Sequence, residues 1–263
     1  MTGVIMKTVI LCGGKGTRLR EETEYRPKPM VEIGNRPVLW HIMKIYASYG
    51  FKDFILCLGY KGNMIKEYFL NYEAMNNDFT INIGRHNQIL VHNNHTENDW
   101  LVTLVNTGDE TQTGARVKRI EKYIDSDTFM LTYGDGVANI DISRLLSYHR
   151  SHGKCATMTG VKPSSRFGEL VLEDNHVVKF NEKPAAMEGI INGGYFVLNR
   201  KIFDYLSEDD DCVFEKDPLE NLSADRELMV YNHEGFWQCM DTYREMELLN
   251  AYWKNNLAPW RIW

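Results

Sequence analysis

A chain of 263 residues with 43% apolar and 25% charged residues can bury a large core without disulfides, as one large domain or two small ones. Its net charge of −6 gives no general attraction to nucleic acid or anionic lipid, so any bound polyanion needs a local cluster of cations. No apolar run approaches the ~20 residues of a membrane-spanning helix, and the five scattered cysteines (Cys12, Cys57, Cys155, Cys212, Cys239) form no C-x-x-C pair and read as reduced thiols of a cytoplasmic protein.

The apolar stretch 4–12 lacks the basic flank of a secretory signal and runs straight into glycines, so it reads as a buried strand over 8–12. Residues 13–33 follow as a long polar loop. A helix starting at Pro37 aligns Leu39, Ile42, Met43 and Tyr46 on one face and stops at Gly50. A second strand is expected over 53–58, and Met64, Ile65, Tyr68, Phe69 and Tyr72 mark the next amphipathic helix. This alternation implies right-handed βαβ units and a largely parallel sheet. The pattern then predicts a third strand over 79–83, a loop or hairpin excursion over 84–100, a strand over 101–105 and a helix over 115–123. An apolar strand over 128–133 ends abruptly in Gly134-Asp135-Gly136, before a helix over 142–151 and a strand over 156–161. From Phe167 the rhythm changes to short strands over 169–172, 177–181 and 190–198, expected as an antiparallel or mixed extension of the sheet that floors a second binding site. Helices return over 201–206, 214–223 and 243–254. With no internal repeat or Pro/Ser linker, one continuous domain is expected.

The segment Leu11-Cys12-Gly13-Gly14-Lys15-Gly16-Thr17-Arg18-Leu19 follows a buried strand, where amides freed by glycine can approach a phosphate or base edge. It does not fit a Walker A loop, because no Gly-Lys-Ser/Thr closes the frame, nor the dinucleotide fingerprint, whose third glycine would fall at Leu19. A lone glycine turn is weak evidence. Arg18 follows these glycines directly, and Lys28 is held stiffly between Pro27 and Pro29, so together they read as a clamp for nucleotide phosphates. Asp135 sits at a strand end, at the crevice edge where α/β sheets bind ligands, although Gly-Asp-Gly alone is more often a turn. Asp241 alone would be an N-cap of the helix over 243–254, and Arg116 alone could equally be a helix-surface charge. The pairs His149/His152 and His92/His95 lack a nearby third ligand and read as surface or capping residues rather than metal ligands.

The pattern G-G-x-G-T-R-L followed by P-K-P-M, with Tyr133-Gly134-Asp135-Gly136, Phe180-Asn181-Glu182-Lys183-Pro184 and Ile191-Asn192-Gly193-Gly194-Tyr195-Phe196, resembles the sugar-1-phosphate nucleotidyltransferases over nearly the whole chain. The combination is specific where each piece is not. Residues 27–34, 39–44, 59–62, 235–242 and 258–260 are similar to the cytidylyl-transferring branch of that family, with Cys12 standing where alanine is usual. The resemblance implies an α/β, Rossmann-like three-layer nucleotidyltransferase fold with a mixed, mostly parallel central sheet. It implies a single domain over 1–263, with about 6–135 as the nucleotide-binding half and about 136–263 as the sugar-phosphate-binding half and C-terminal helices.

The implied reaction joins CTP to glucose 1-phosphate, giving CDP-glucose and pyrophosphate, with Mg²⁺ as cofactor. A sugar-phosphate oxygen attacks the α-phosphorus in line. That nucleophile is already ionised near neutral pH (second pKa ~6), so no general base is required. The expected catalytic residues are Arg18 over the leaving pyrophosphate, Lys28 near the α-phosphate and Asp135, with Asp135 and Asp241 holding the metal. The nucleotide is expected on Leu11, Cys12, Gly13, Gly14, Lys15, Gly16, Thr17, Arg18, Lys28, Thr111, Arg116 and Gly134. The sugar phosphate is expected on Gly168, Glu182, Lys183, Asn192 and Gly193. The resemblance also implies a homo-oligomer, commonly a hexamer. A UDP- or dTDP-sugar pyrophosphorylase and a non-catalytic sensor of the same fold stand as alternatives; a sensor would need fewer of these charged residues.

Overall fold

Seven strands form the central sheet: β1 (Lys7–Cys12), β2 (Asp53–Leu58), β3 (Leu101–Asn106), β4 (Thr128–Tyr133), β5 (Ala156–Val161), β6 (Ile191–Asn199) and β7 (Leu228–His233). The computed structural model describes residues 6–84, 88–92, 95–163, 169–173, 176–181 and 189–263. Across the sheet the strands run in the order β7-β5-β6-β4-β1-β2-β3. β1 is parallel to β2 and β4, β2 to β3, and β5 to β7, whereas β6 is antiparallel to both its neighbours. The sheet is therefore mixed and mostly parallel.

Side chains alternate between the two faces of each strand, and the sheet sorts them into two cores. Ile10, Cys12, Phe54, Leu56 and Leu58 pack with α1 (Val38–Ser48), α4 (Ile142–His152) and α6 (Tyr243–Lys254). Val9, Leu11, Ile55 and Cys57 pack on the opposite face with α3 (Thr113–Arg119) and α5 (Asp217–Ala224). A further helix, α2 (Gly62–Leu70), follows β2 and buries Ile65 in the first core. Helices on both faces make three layers. Every residue of β2 is buried, as expected for a strand covered on both sides.

The structure departs from the sequence expectation in places that matter. β6 is not an extension of the sheet; it lies in its middle, between β5 and β4. Its run Gly-Gly-Tyr-Phe-Val-Leu is buried on both faces, the signature of a central strand. Glu169–Glu173 and His176–Asn181 pair with each other as a separate two-stranded sheet. The strand expected over 79–83 also leaves the main sheet: Phe79–Ile81 pairs with Ile89–Val91 in a small hairpin. The polar loop over 13–33 contains short helical turns at Thr17–Leu19, Arg20–Thr23 and Lys28–Met30. The helix expected over 115–123 divides into α3 and a 3-10 turn at Glu121–Tyr123, and that over 201–206 is the 3-10 helix Arg200–Tyr205. Among the described residues, no helix is long and apolar enough to cross a membrane.

Candidate active site

β1 and β4 run side by side with Leu11 opposite Tyr133, so the glycine loop and Gly134-Asp135-Gly136 emerge at the same edge of the sheet. Asp241 is brought to that edge from the far end of the chain by a short antiparallel ribbon. Gly136–Ala138 pairs with Trp237–Cys239, and the Met240 amide donates to the Asp135 carbonyl at 2.8 Å. Next in the chain, Thr242 and Glu245 form a capping box at the start of α6. Glu245 Oε2 accepts the amides of Asp241 (2.8 Å) and Thr242 (2.9 Å). The N-cap is therefore Thr242, and the Asp241 carboxylate is turned instead toward Lys28 and Arg18.

Lys28 lies in a 3-10 turn that Pro27 and Pro29 stiffen, and its side chain is 13% exposed. Its ammonium sits 2.6 Å from Asp135 Oδ2 and also donates to Asp241 Oδ1. Burial alone would weaken this ammonium, but the two carboxylates outweigh it and hold Lys28 above the ordinary lysine range. Arg18, largely exposed, reaches Asp241 Oδ2 at 2.9 Å. Arg18, Asp135 and Asp241 border a cleft of about 190 Å³ whose walls include Tyr133, Asn192, Gly193 and Trp237, and Lys28 adjoins it through the two carboxylates. The Trp237 indole N–H donates to the Gly193 carbonyl at 2.7 Å and ties the ribbon to β6.

Arg116 is not a surface charge. It is 2% exposed beneath the glycine loop, where it donates to the carbonyls of Leu58 (3.1 Å), Gly108 (2.7 Å) and Asp109 (3.3 Å) and to Thr107 Oγ1 (2.8 Å). A Cβ at Gly13 would lie 2.2 Å from the Arg116 Cζ, so any side chain there would push the guanidinium off its acceptors. Burial lowers the Arg116 pKa from its usual value. Thr111, also buried, gives its hydroxyl proton to Asp210 Oδ1 at 2.7 Å and accepts from Arg119 at 2.9 Å. Lys15 forms an exposed ion pair with Glu110 at 2.9 Å.

The structure thus gathers Arg18, Lys28, Asp135, Asp241, Asn192 and Gly193 at one cleft. Arg116 and Thr111 lie on the neighbouring side, by Gly13 and Gly108. Gly168, Glu182 and Lys183 lie outside the described residues. Sequence reasoning gave no role to Tyr133, Trp237 or Cys239, which also line the cleft. Tyr133 and Trp237 do adjoin the two aspartate motifs, a signal that could have flagged them. His149, expected at the surface or as a cap, is 2% exposed and bonds Thr157 Oγ1 (2.8 Å) and Asn199 Oδ1 (3.0 Å). Among the described residues, no group of three or more His, Cys, Asp or Glu side chains could hold a metal ion. The protein would bring two carboxylates, which suits Mg²⁺, an ion that keeps phosphate and water oxygens as its remaining ligands.

The family model for nucleotidyl transferases matches residues 7–254. A glucose-1-phosphate cytidylyltransferase of Salmonella typhi is 49% identical over 259 residues, covering 98% of this chain and 100% of that protein. The glucose-1-phosphate cytidylyltransferase of Salmonella typhimurium is likewise 49% identical, over the same shares. Among solved structures, HddC from Yersinia pseudotuberculosis has the same fold, with a TM-score of 0.68 at 23% identity over 94% of this chain and 99% of that one.

Proposed function

The chain belongs to the nucleotidyl transferase family, and from that premise we propose that it converts CTP and glucose 1-phosphate to CDP-glucose and pyrophosphate. The observation that carries the reaction type is the convergence of Lys28 and Arg18 on Asp135 and Asp241 at one sheet edge. The choice of cytosine and glucose is supported by the two relatives, each matched along its whole length.

Two polyanions must meet at this site, and the residues answer that need electrostatically. Arg18 draws the triphosphate inward and is assigned to the leaving pyrophosphate. Lys28 is assigned to the α-phosphate, where the negative charge of the transition state builds up. Amides of residues 13–17 add donors along the nucleotide phosphates. We assign Leu11, Cys12 and Gly13 to the base and Arg116 and Thr111 to the same half; Arg116 then acts from beneath the loop, as a buried support with its own acceptors already in place. Asn192 and Gly193 are assigned to the sugar phosphate, together with Gly168, Glu182 and Lys183. Asp135 and Asp241 would hold Mg²⁺, which when bound offsets phosphate charge and orients the triphosphate. The attacking oxygen is ionised beforehand, so the site needs positioning and charge more than a proton acceptor.

We read residues 6–135 as the nucleotide half and 136–263 as the sugar-phosphate half of one domain, a reading supported by the single sheet that draws strands from both. Assembly into a homo-oligomer, a hexamer by resemblance, is supported by the exposed Phe79, Ile81, Ile89 and Leu90 of the small hairpin. Five free cysteines, three of them buried, support a reducing, cytoplasmic setting.

Pyrophosphate release from glucose 1-phosphate, measured with CTP, UTP, dTTP and ATP with and without Mg²⁺, tests this reading. Turnover is expected with CTP and Mg²⁺. Preference for UTP or dTTP would overturn the cytidine assignment, and no turnover with any nucleotide would overturn the enzyme.

A further inference from the structure

A hydrogen-bonded chain runs from the cleft wall into the body of the protein. Tyr133, the last residue of β4, donates its hydroxyl proton to Glu215 Oε1. The same hydroxyl accepts from Asn192 Nδ2 at 3.2 Å, and Asn192 Oδ1 accepts the Gly194 amide at 2.8 Å. Gly194 has φ +79°, and a Cβ there would lie 2.6 Å from the Tyr133 ring, so glycine alone permits the turn that offers this amide. Glu215 is itself held at its other oxygen, which accepts from Thr113 Oγ1 at 2.7 Å, while Thr113 Oγ1 accepts the Phe214 amide at 2.9 Å.

Every link has a defined direction. An ionised carboxylate only accepts, so Tyr133 must donate to it and is left to accept from Asn192. An amide group pinned in this way has one orientation: nitrogen toward Tyr133, oxygen toward Gly194. Tyr133 and Asn192 both line the cleft, and Glu215 meets that lining at the Tyr133 hydroxyl. Were Glu215 absent, the Tyr133 hydroxyl would lose the acceptor that aims its proton away from Asn192, and the amide, held then only by the Gly194 N–H, would lose its fixed place in the cleft. A phosphate dianion only accepts hydrogen bonds, so an Asn192 N–H that is no longer held in place is a poorer donor to it.

We propose that Glu215 is a positioning residue for the sugar phosphate, acting through Tyr133 to hold the Asn192 amide with its donor side available to the substrate. The proposal rests on the assignment of this cleft to the sugar phosphate. Glu215→Ala and Tyr133→Phe should raise the KM for glucose 1-phosphate about tenfold or more while moving the KM for CTP less than about twofold. Glu215→Gln should restore most of the loss, because its amide oxygen still accepts from Tyr133 and its nitrogen can donate to Thr113 Oγ1.

The test is steady-state kinetics on the full-length protein with each substrate varied in turn, beside calorimetric binding of glucose 1-phosphate alone. Equal changes in both KM values, an unmoved sugar-phosphate KM, or a Gln variant as impaired as the Ala variant would each overturn the proposal. Should Glu215→Ala fail to fold, Tyr133→Phe decides by the same criterion, since it removes one oxygen and keeps the ring. Binding separates this inference from the reaction itself. A wild-type protein without turnover that binds glucose 1-phosphate, and loses about tenfold affinity in the variants, keeps the positioning role; one that neither turns over nor binds removes both.

Discussion

The ammonium of Lys28 lies 2.6 Å from the carboxylate of Asp135, 107 residues away in the chain. It also bridges to Asp241, so one half-buried cation is shared by the two carboxylates proposed for Mg²⁺. A divalent ion arriving at these carboxylates must compete with Lys28. Replacing Lys28 by Met should therefore tighten binding of Mn²⁺, measured by electron paramagnetic resonance without nucleotide, by about tenfold, while turnover falls about a hundredfold. Weaker Mn²⁺ binding in that variant would contradict the shared position.

Asp135→Asn keeps the shape of the side chain and removes its charge. Metal-dependent turnover should fall at least about a hundredfold, with a thermal midpoint within a few degrees of the wild type. Near-normal activity would mean that the metal is held elsewhere. An unfolded variant would mean that Asp135 serves the fold before the chemistry.

Arg116 satisfies three carbonyls and one hydroxyl in the interior. Arg116→Met leaves those acceptors without their donor and should cost about 2–4 kcal/mol of stability, read from urea unfolding. The KM for CTP should rise more than that for glucose 1-phosphate. Arg116→Lys should recover only part of both, because a single ammonium cannot span acceptors that a planar fork reaches together. An unchanged unfolding midpoint for the Met variant would contradict this reading.

His41 sets an acid limit on stability. Its ring lies buried among Trp40, Trp253, Trp260 and Trp263. Trp260 Nε1 can only donate, so His41 Nδ1 accepts from it at 3.4 Å and Nε2–H donates to the Ile33 carbonyl at 2.9 Å, the neutral tautomer. Burial lowers its pKa from 6.5 to about 4. Between those values the unfolded chain binds the extra proton, so this contribution is fully present above pH 6.5 and is lost as pH falls toward 4. The loss amounts to about 3 kcal/mol. His41→Phe should be less stable at pH 7 yet show a flatter decline from pH 6.5 to 4.5 in urea unfolding; an unchanged slope would assign the acid sensitivity to other groups.

Much of the first half was legible before any coordinates. The strand over 53–58 and the strand over 128–133 match their observed bounds, and the helix from Pro37 begins one residue later, at Val38. These segments advertise themselves locally, by an apolar run, a period of 3.6 or a proline and glycine at the ends. β7 and the Gly136–Ala138/Trp237–Cys239 ribbon were not legible. They are short or half-exposed, and what makes them strands is the partner they meet. β6 was read as a strand but not as a central one, because a local pattern does not say which neighbours a strand will have.

The same division runs through the site. The sequence by itself determined which chemistry was on offer: a glycine loop after a buried strand, Arg18 and a proline-stiffened Lys28, and an aspartate between glycines at a strand end. Residue types and short spacings carry that information. Only the tertiary structure decided that Asp241 meets Lys28 rather than capping α6, that Arg116 lies buried beneath Gly13, and that Glu215 reaches Tyr133 and through it Asn192. Each of these contacts joins residues brought together by strand pairing, capping or close backbone approach, and its direction depends on which groups nearby already hold their protons.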